Sequence, residues 1–312
     1  MPTKQTKFLL LPFIAATFTD ALADLPLTVD DLLSDEGKLR IEFSTTYSNS
    51  ERKGVEALES ITVQTGPTSF VRIPTALGEN SSNVDAMVAS AGLRYGIDKS
   101  NEVYGRASLL GFQQRSLSST GTATEDTDGR FADAWIGINH QLNGNADQPG
   151  LLGFAEVQVA ERQADGDTAY GESMVIGATA YQAYDPIVLS MTGAFQLNGK
   201  REVADSRIRP GNSLILSPSV AFAVNDKVTL SGGLNWRATQ ASRKDGQKGG
   251  IATTRTALDL GVAYALNEGD TLDVNVRPQV SGDNNVQVTM GWVRNFANEP
   301  KQQGKEGGKK GE

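Results

Sequence analysis

The chain has no cysteine, a single histidine and no long apolar run. Each lack removes a class of explanation. Without cysteine there can be no disulfide, no thiol nucleophile and no Cys/His metal site. The one histidine, His140, falls on the outward phase of its segment near a short turn. No GxSxG-type stretch accompanies it, so it reads as an interfacial polar residue rather than a general base. We therefore expect no enzyme activity and assign no catalytic residue, cofactor or metal ligand. The longest apolar stretch, Phe8 to Phe18, falls short of the ~20 residues that a spanning helix needs. Positive charge is also scarce: the formal net charge is −8, with basic residues scattered, which argues against a nucleic-acid partner.

What is present begins with the order of the N-terminus. Lys4 and Lys7 precede the apolar stretch, and Ala21-Leu22-Ala23 follows it. That order predicts a secretory signal over residues 1–23, cleaved before Asp24. Its removal takes two Lys and one Asp and moves the charge from −8 to −9. At 38% apolar and 21% charged residues, the chain is neither disordered nor a helical membrane protein by composition. Stability in an exported, cysteine-free chain must come from hydrogen bonding and burial.

Alternation dominates the rest. In KLRIEFSTTYS (38–48), Leu39, Ile41, Phe43, Thr45 and Tyr47 take one side, and Lys38, Arg40, Glu42, Ser44, Thr46 and Ser48 the other. A side-chain period of two is the signature of a strand. Twelve such segments are predicted: 38–48, 85–97, 102–112, 131–142, 151–160, 173–182, 187–197, 214–224, 228–239, 254–266, 271–280 and 286–296. Alternation is least clean in 102–112, 131–142, 151–160 and 173–182. Most have the ~9–11 residues that a tilted strand needs to cross a bilayer. Short turns at 98–101, 183–186, 225–227 and 267–270 alternate with longer links at 49–84, 113–130, 161–172, 198–213 and 240–253; 143–150 is of middling length and 281–285 is a short link on the long-loop side. This segregation of loops predicts an all-β, transmembrane, antiparallel up-and-down barrel of about 12 strands over residues 37–296. Its short turns would be periplasmic and its long loops extracellular. Residues 24–36 form a periplasmic segment with a short helix expected over TVDDLLSDEG (28–37), and 297–312 a disordered tail.

The second faces of the strands carry charges of both signs: Lys38, Arg40, Glu42, Arg94, Arg106, Asp133, Glu156, Arg237, Arg255, Asp259, Asp273 and Arg277. Charges cannot sit unpaired in a dry core, but they can line a wet or salt-bridged lumen. These twelve are the expected pore-lining residues. Cations and anions are close to balance, so strong charge selectivity is not expected. Aromatics near strand ends on the apolar face (Tyr47, Tyr95, Phe195, Trp236, Tyr264, Trp292 and Phe296) suggest two headgroup girdles. Loop acids Asp126, Asp128, Asp165 and Asp167 complete no calcium-loop spacing. The long 49–84 link contains ITVQTGPTSFVRI (61–73), two short alternating runs about Gly66-Pro67. It is expected either to fold over or into the barrel mouth or to extend the first two strands outward.

The hairpins GLRYGIDKSNEVYGRASLLG (92–111) and SPSVAFAVNDKVTLSGGLNW (217–236) resemble units of outer-membrane barrels grouped as the "MetA-pathway of phenol degradation" family. The resemblance covers about 37–296. It implies a twelve-stranded channel, with amyloid-secretion channels as relatives and small aromatic or hydrophobic compounds as cargo. VQVTMGWVRNF (286–296) is similar to the C-terminal signal read by the barrel-assembly machinery, although Arg294 stands at a usually apolar place and sixteen residues follow Phe296. The expected location is therefore the Gram-negative outer membrane, among lipid and lipopolysaccharide, with homo-oligomers allowed. Three functions follow as expectations: a small-molecule channel or porin, a secretion barrel for extracellular fibre subunits, and a structural or adhesive barrel with a closed lumen.

Overall fold

A computed structural model describes residues 33–53, 61–73, 81–117, 121–143, 149–163, 166–203, 206–282 and 284–296. Alternating segments pair into one wall of twelve strands: β1 (Leu39–Lys53), β2 (Ser81–Gly96), β3 (Asn101–Leu117), β4 (Ala123–Asn143), β5 (Gly150–Arg162), β6 (Ser173–Tyr184), β7 (Ile187–Asn198), β8 (Ser213–Ala223), β9 (Val228–Thr239), β10 (Thr253–Ala265), β11 (Asp270–Ser281) and β12 (Asn284–Asn295). Every strand pairs antiparallel with its neighbour in sequence, and β1 pairs with β12. The sheet therefore closes and leaves no edge, which is the condition for a strand wall in lipid. All twelve predicted segments are strands of this wall.

The alternation settles which way each side chain points. On β1, Phe43 and Tyr47 are exposed on the outside, while Thr46, Ser48 and Ser50 are buried inside. The outer face is an apolar belt: Met87, Leu93, Ile138, Ile176, Leu189, Leu230, Leu260, Val274 and Met290 all stand exposed. Phe43 stacks on Trp292 across the β1–β12 seam, with ring centroids 5.8 Å apart. Pro218 takes an outward position on β8, where the ladder to β9 skips from Leu216↔Trp236 to Ser219↔Gly233. A residue without an N–H gives the ladder no donor there, and the register is the same on either side of the gap.

Three departures from the sequence reading have physical causes. First, β1 to β4 run well beyond the predicted spans, so the 113–130 link is mostly strand, and only 118–122 connects β3 to β4. Second, register shifts interrupt the ladders at Ser108/Leu109, Ala134/Trp135, Gln141/Asn143 and Thr256/Ala257. An extra residue in one strand turns the following side chains to the other face, which explains the blurred alternation around residues 102–112, 131–142 and 151–160. Third, Leu33–Gly37 is not helical: Glu36 bridges Gly96 in parallel and Gly37 turns with φ of 74°. The remainder of the predicted helix, the signal segment and the C-terminal tail lie outside the described residues.

The links on the far end carry a small sheet of their own. Arg201–Val203 and Ser206–Arg209, from the β7–β8 link, form a small sheet with Arg243–Lys244 and Gln247–Lys248 from the β9–β10 link. Its tip turns at Asp245 and Gly246, both with positive φ, where the second residue has to be glycine-like. No helix among the described residues is long and apolar enough to cross a membrane; this barrel crosses with strands.

Candidate functional site: a lumen crossed by a hairpin

The 61–73 segment is a two-stranded hairpin, Ile61–Gln64 with Phe70–Ile73, and it lies inside the barrel. Its apolar side chains Ile61, Val63, Val71 and Ile73 pack with Val84, Ala86 and Val88 of β2, Leu110 and Phe112 of β3, and Ala132 of β4. Each such burial contributes roughly 1.5–3 kcal/mol. The opposite edge is polar and reaches the far wall. Gln64 N donates to Gln287 Oε1 at 3.1 Å, and Arg277 Nη1 donates to the Gln64 carbonyl at 3.3 Å. Asn235 Nδ2 donates to the Pro67 carbonyl at 3.2 Å, and the Arg237 guanidinium lies 4.0 Å from the Phe70 ring centre. Phe70 packs beside a second buried cluster of Trp135, Val175, Ala194 and Ile215. The hairpin thus touches the wall nearly all the way round.

Arg72 fixes its last strand. It donates to Glu161 Oε1 at 3.2 Å and to Asn198 Oδ1 at 2.7 Å. Glu161 also accepts from Arg201, whose Nη2 is 2.6 Å away, and Arg201 donates to Ser173 Oγ at 2.9 Å. Burial and then the like charge of Arg72 push the Arg201 guanidinium down to about 10, so it is still a cation at neutral pH. One buried carboxylate therefore holds the hairpin and the β7–β8 link together.

A second network occupies the periplasmic half. Glu42 on β1 accepts from Arg40 Nε at 3.0 Å and from Arg94 Nε on β2 at 2.8 Å. Arg94 reaches Glu102 of β3 at 3.0 Å, and Glu102 also accepts from Asn139 Nδ2 at 2.6 Å and from the backbone N–H of Ser34 at 2.7 Å. The N-terminal segment accordingly runs against the barrel's periplasmic mouth, with Ser34 buried. Gly96 is the close-approach point, because a Cβ there would overlap the Ser34 and Asp35 carbonyls. Deeper in, Arg106 donates to Glu156 at 3.3 Å and stacks at 4.9 Å over Trp135, whose Nε1 donates to Asp133 at 2.9 Å.

Of the predicted pore-lining residues, Arg40, Glu42, Arg94, Arg106, Asp133 and Glu156 belong to this periplasmic-half network. Arg237, Arg255 and Arg277 line the space beside the hairpin, and Asp259 pairs with Arg277. Asp273 accepts from Asn275 at 2.9 Å. Lys38 lies just before β1, paired with Asp35 at the rim. Sequence reasoning did not single out Glu102, Tyr104, Glu161, Arg72 or Arg201. Glu102 and Tyr104 share the phase of Arg106 on β3, so their placement was readable. Glu161 was hidden by the shift in β5, and Arg72 and Arg201 lie off the wall.

His140 is exposed on the outer face, with Nδ1 2.9 Å from Asn101 Oδ1 and no role in the lumen. Among the described residues no group of three or more acids or histidines is placed to hold a metal. Asp126 and Asp128 sit on β4 rather than in a loop, with Asp128 3.5 Å from Arg130. Asp165 lies outside the described residues. On the turn between β2 and β3, Asp98 accepts the Ser100 N–H at 2.8 Å, and that bond holds its carboxyl below the usual carboxylate range.

A closed twelve-stranded wall with an apolar outside and a charged inside defines the class: an outer-membrane β-barrel. The chain belongs to the family described as "Putative MetA-pathway of phenol degradation", whose model matches residues 73–304. Its fold is similar to that of an outer-membrane channel from Pseudomonas putida F1, with a TM-score of 0.63 at 12% identity, covering 89% of this chain and 100% of that one. It is also similar to the translocator domain of the autotransporter NalP from Neisseria meningitidis, with a TM-score of 0.50 at 13% identity, covering 86% and 92%. The transport unit of the autotransporter AIDA-I from Escherichia coli gives a TM-score of 0.50 at 9% identity, covering 90% and 94%. No curated protein matches the sequence.

Proposed function

We propose that the protein is an outer-membrane channel for small molecules, not an enzyme, with the 61–73 hairpin as its constriction. The observation that carries this reading is the hairpin itself. It spans a charged, closed lumen, and among the described residues a narrow polar space lies between it and the β9–β12 wall. A lumen so filled suits small solutes far better than an extended polypeptide, which disfavours the secretion reading. Retention of a lined space disfavours a purely structural barrel. The family's description makes phenol-derived aromatic compounds the first solutes to try.

The test is single-channel recording in planar bilayers. The parent protein should show small, discrete conductance steps. Replacing 61–73 by a short Gly/Ser linker, or making Val63→Asp to undock the hairpin from its apolar cluster, should raise the unitary conductance several-fold. Conductance that does not change when the hairpin is removed would overturn its role as the constriction. No conductance in any form would overturn the channel.

A further inference from the structure

The small sheet built from the β7–β8 and β9–β10 links has two faces of different character. Its register pairs Arg201 with Ile208, Ile208 with Lys244, and Lys244 with Gln247, so these four share one face. That face is turned to the lumen, because Arg201 on it is buried and its Nε donates to Glu161 Oε2 at 2.7 Å. The face turned away from the lumen carries Arg209, Arg243 and Lys248, which are successive cross-strand partners. All three are exposed, and among the described residues none of them has a carboxylate partner. Arg209 Nε donates to a neutral group, the Asn198 carbonyl, at 3.1 Å. The acids of the sheet lie beside Arg207 instead. Glu202 is the register partner of that residue, and the Asp245 carboxylate accepts its backbone N–H at 2.9 Å. Like charges set directly opposite one another on a sheet destabilise it, so a row of three is a feature that negative charge from outside the chain would stabilise.

We propose that this face docks the phosphate groups of lipopolysaccharide in the leaflet beside the barrel. The inference goes beyond the channel reading and holds whatever the lumen passes. Height above the membrane identifies the source of the charge. Phe195 and Leu214, register partners near the extracellular end of β7 and β8, stand exposed on the outer apolar face. Arg209 is five residues from Leu214, so the chain carries it at most ~18 Å beyond that face's apolar belt. The row therefore stands within reach of the headgroup layer rather than far out in solvent. The chemistry fits the same ligand. Guanidinium forks bond phosphate oxygens in pairs, and the Lys248 ammonium adds a compact point charge. Cross-strand neighbours stand about 5 Å apart, so three of them span about 10 Å, enough for more than one phosphate group. A soluble anion gains only these contacts. A lipid one is held at the site as well, because its acyl chains lie against the belt below.

Binding is measured by thermophoresis on the full chain in detergent micelles, with rough-type lipopolysaccharide (lipid A and phosphorylated inner core) as probe. The same material stripped of phosphate, inorganic phosphate and poly-glutamate serve as comparisons. Intact lipopolysaccharide should bind saturably, and removal of its phosphates should weaken binding at least tenfold. Arg243→Gln should weaken it by a similar factor, with Arg243→Lys weakening it less. Lys248→Gln should also weaken it, which gives an independent reading of the same row. Lys244→Gln removes an equal charge one residue away, on the face turned to the lumen, and should leave affinity unchanged. Each variant is confirmed as a folded barrel by heat-modified gel mobility. Equal affinity for the dephosphorylated lipid, or equal losses in Arg243→Gln and Lys244→Gln, would overturn the docking face. Inorganic phosphate bound as tightly as the lipid would make this a free-anion site and overturn the lipid assignment. Tighter binding of poly-glutamate would overturn it in favour of an acidic polypeptide.

Discussion

At the scale of single residues, Glu102 shows what holds the periplasmic half closed. It is about 1% exposed, and one carboxylate serves Arg94, Asn139 and the Ser34 backbone. Removing one partner of a buried, hydrogen-bonded ion pair costs about 3–5 kcal/mol, because the other charge is left without compensation. Glu102→Ala should therefore destabilise the barrel by about 3 kcal/mol in urea unfolding from lipid vesicles. Substitution of the exposed Asp98 in the neighbouring turn should cost far less, and equal losses for the two would contradict the network. Gly96→Val isolates the N-terminal segment from that network. It should displace Ser34 and Asp35 without touching Glu102's other partners, and expose the segment to limited proteolysis while the barrel stays folded. Neither role follows from composition. Glu102 was legible only as a residue in phase with Arg106, since no pattern in the sequence says that Ser34 lies against it.

At the scale of elements, position along a strand decides what a charge on the outer face costs. Ile41 lies two residues inside the start of β1, close to the headgroups, whereas Leu260 sits mid-strand on β10 and is half exposed to lipid. An arginine costs roughly 2–4 kcal/mol at the bilayer midplane and about 0–1 near the interfaces. Leu260→Arg should accordingly impair assembly in vesicles much more than Ile41→Arg, measured as the folded fraction by heat-modified gel mobility. Similar folded fractions would mean that the apolar belt does not face lipid as described. Strand count and strand facing were legible because the period of two survives across most of the wall. Strand ends were not, because β1 to β4 continue past the bilayer, where nothing forces outer-face residues to be apolar. The hairpin's place inside the barrel left a trace that alternation alone could not interpret. Val84, Ala86, Val88, Leu110 and Phe112 put apolar groups on the face that elsewhere is polar, because an internal element covers them.

At the scale of the whole molecule, the lumen divides between two networks and a hairpin. The family match, residues 73–304, takes in eleven of the twelve wall strands and most of both networks, and of the hairpin only Ile73. The pore-lining set was legible as a list of charged positions on inward phases. Its arrangement was not, because the partners of each charge come from strands far apart in sequence. Arg72 with Glu161, and Arg277 with the Gln64 carbonyl, are contacts only a closed barrel creates.

The seam between the first and last strands also sets the order in which this molecule can be made. The hydroxyls of Thr46 and Thr289 meet at 3.0 Å across 243 positions of chain, and Phe43 covers Trp292 beside them. Every other ladder of the wall joins neighbours in sequence, so eleven hairpin contacts form locally and one waits for the final strand. Until then the wall has two open edges, and lipid accepts neither. Closure is thus an all-or-nothing proofreading step: a chain interrupted anywhere before β12 has no partial barrel to fall back on.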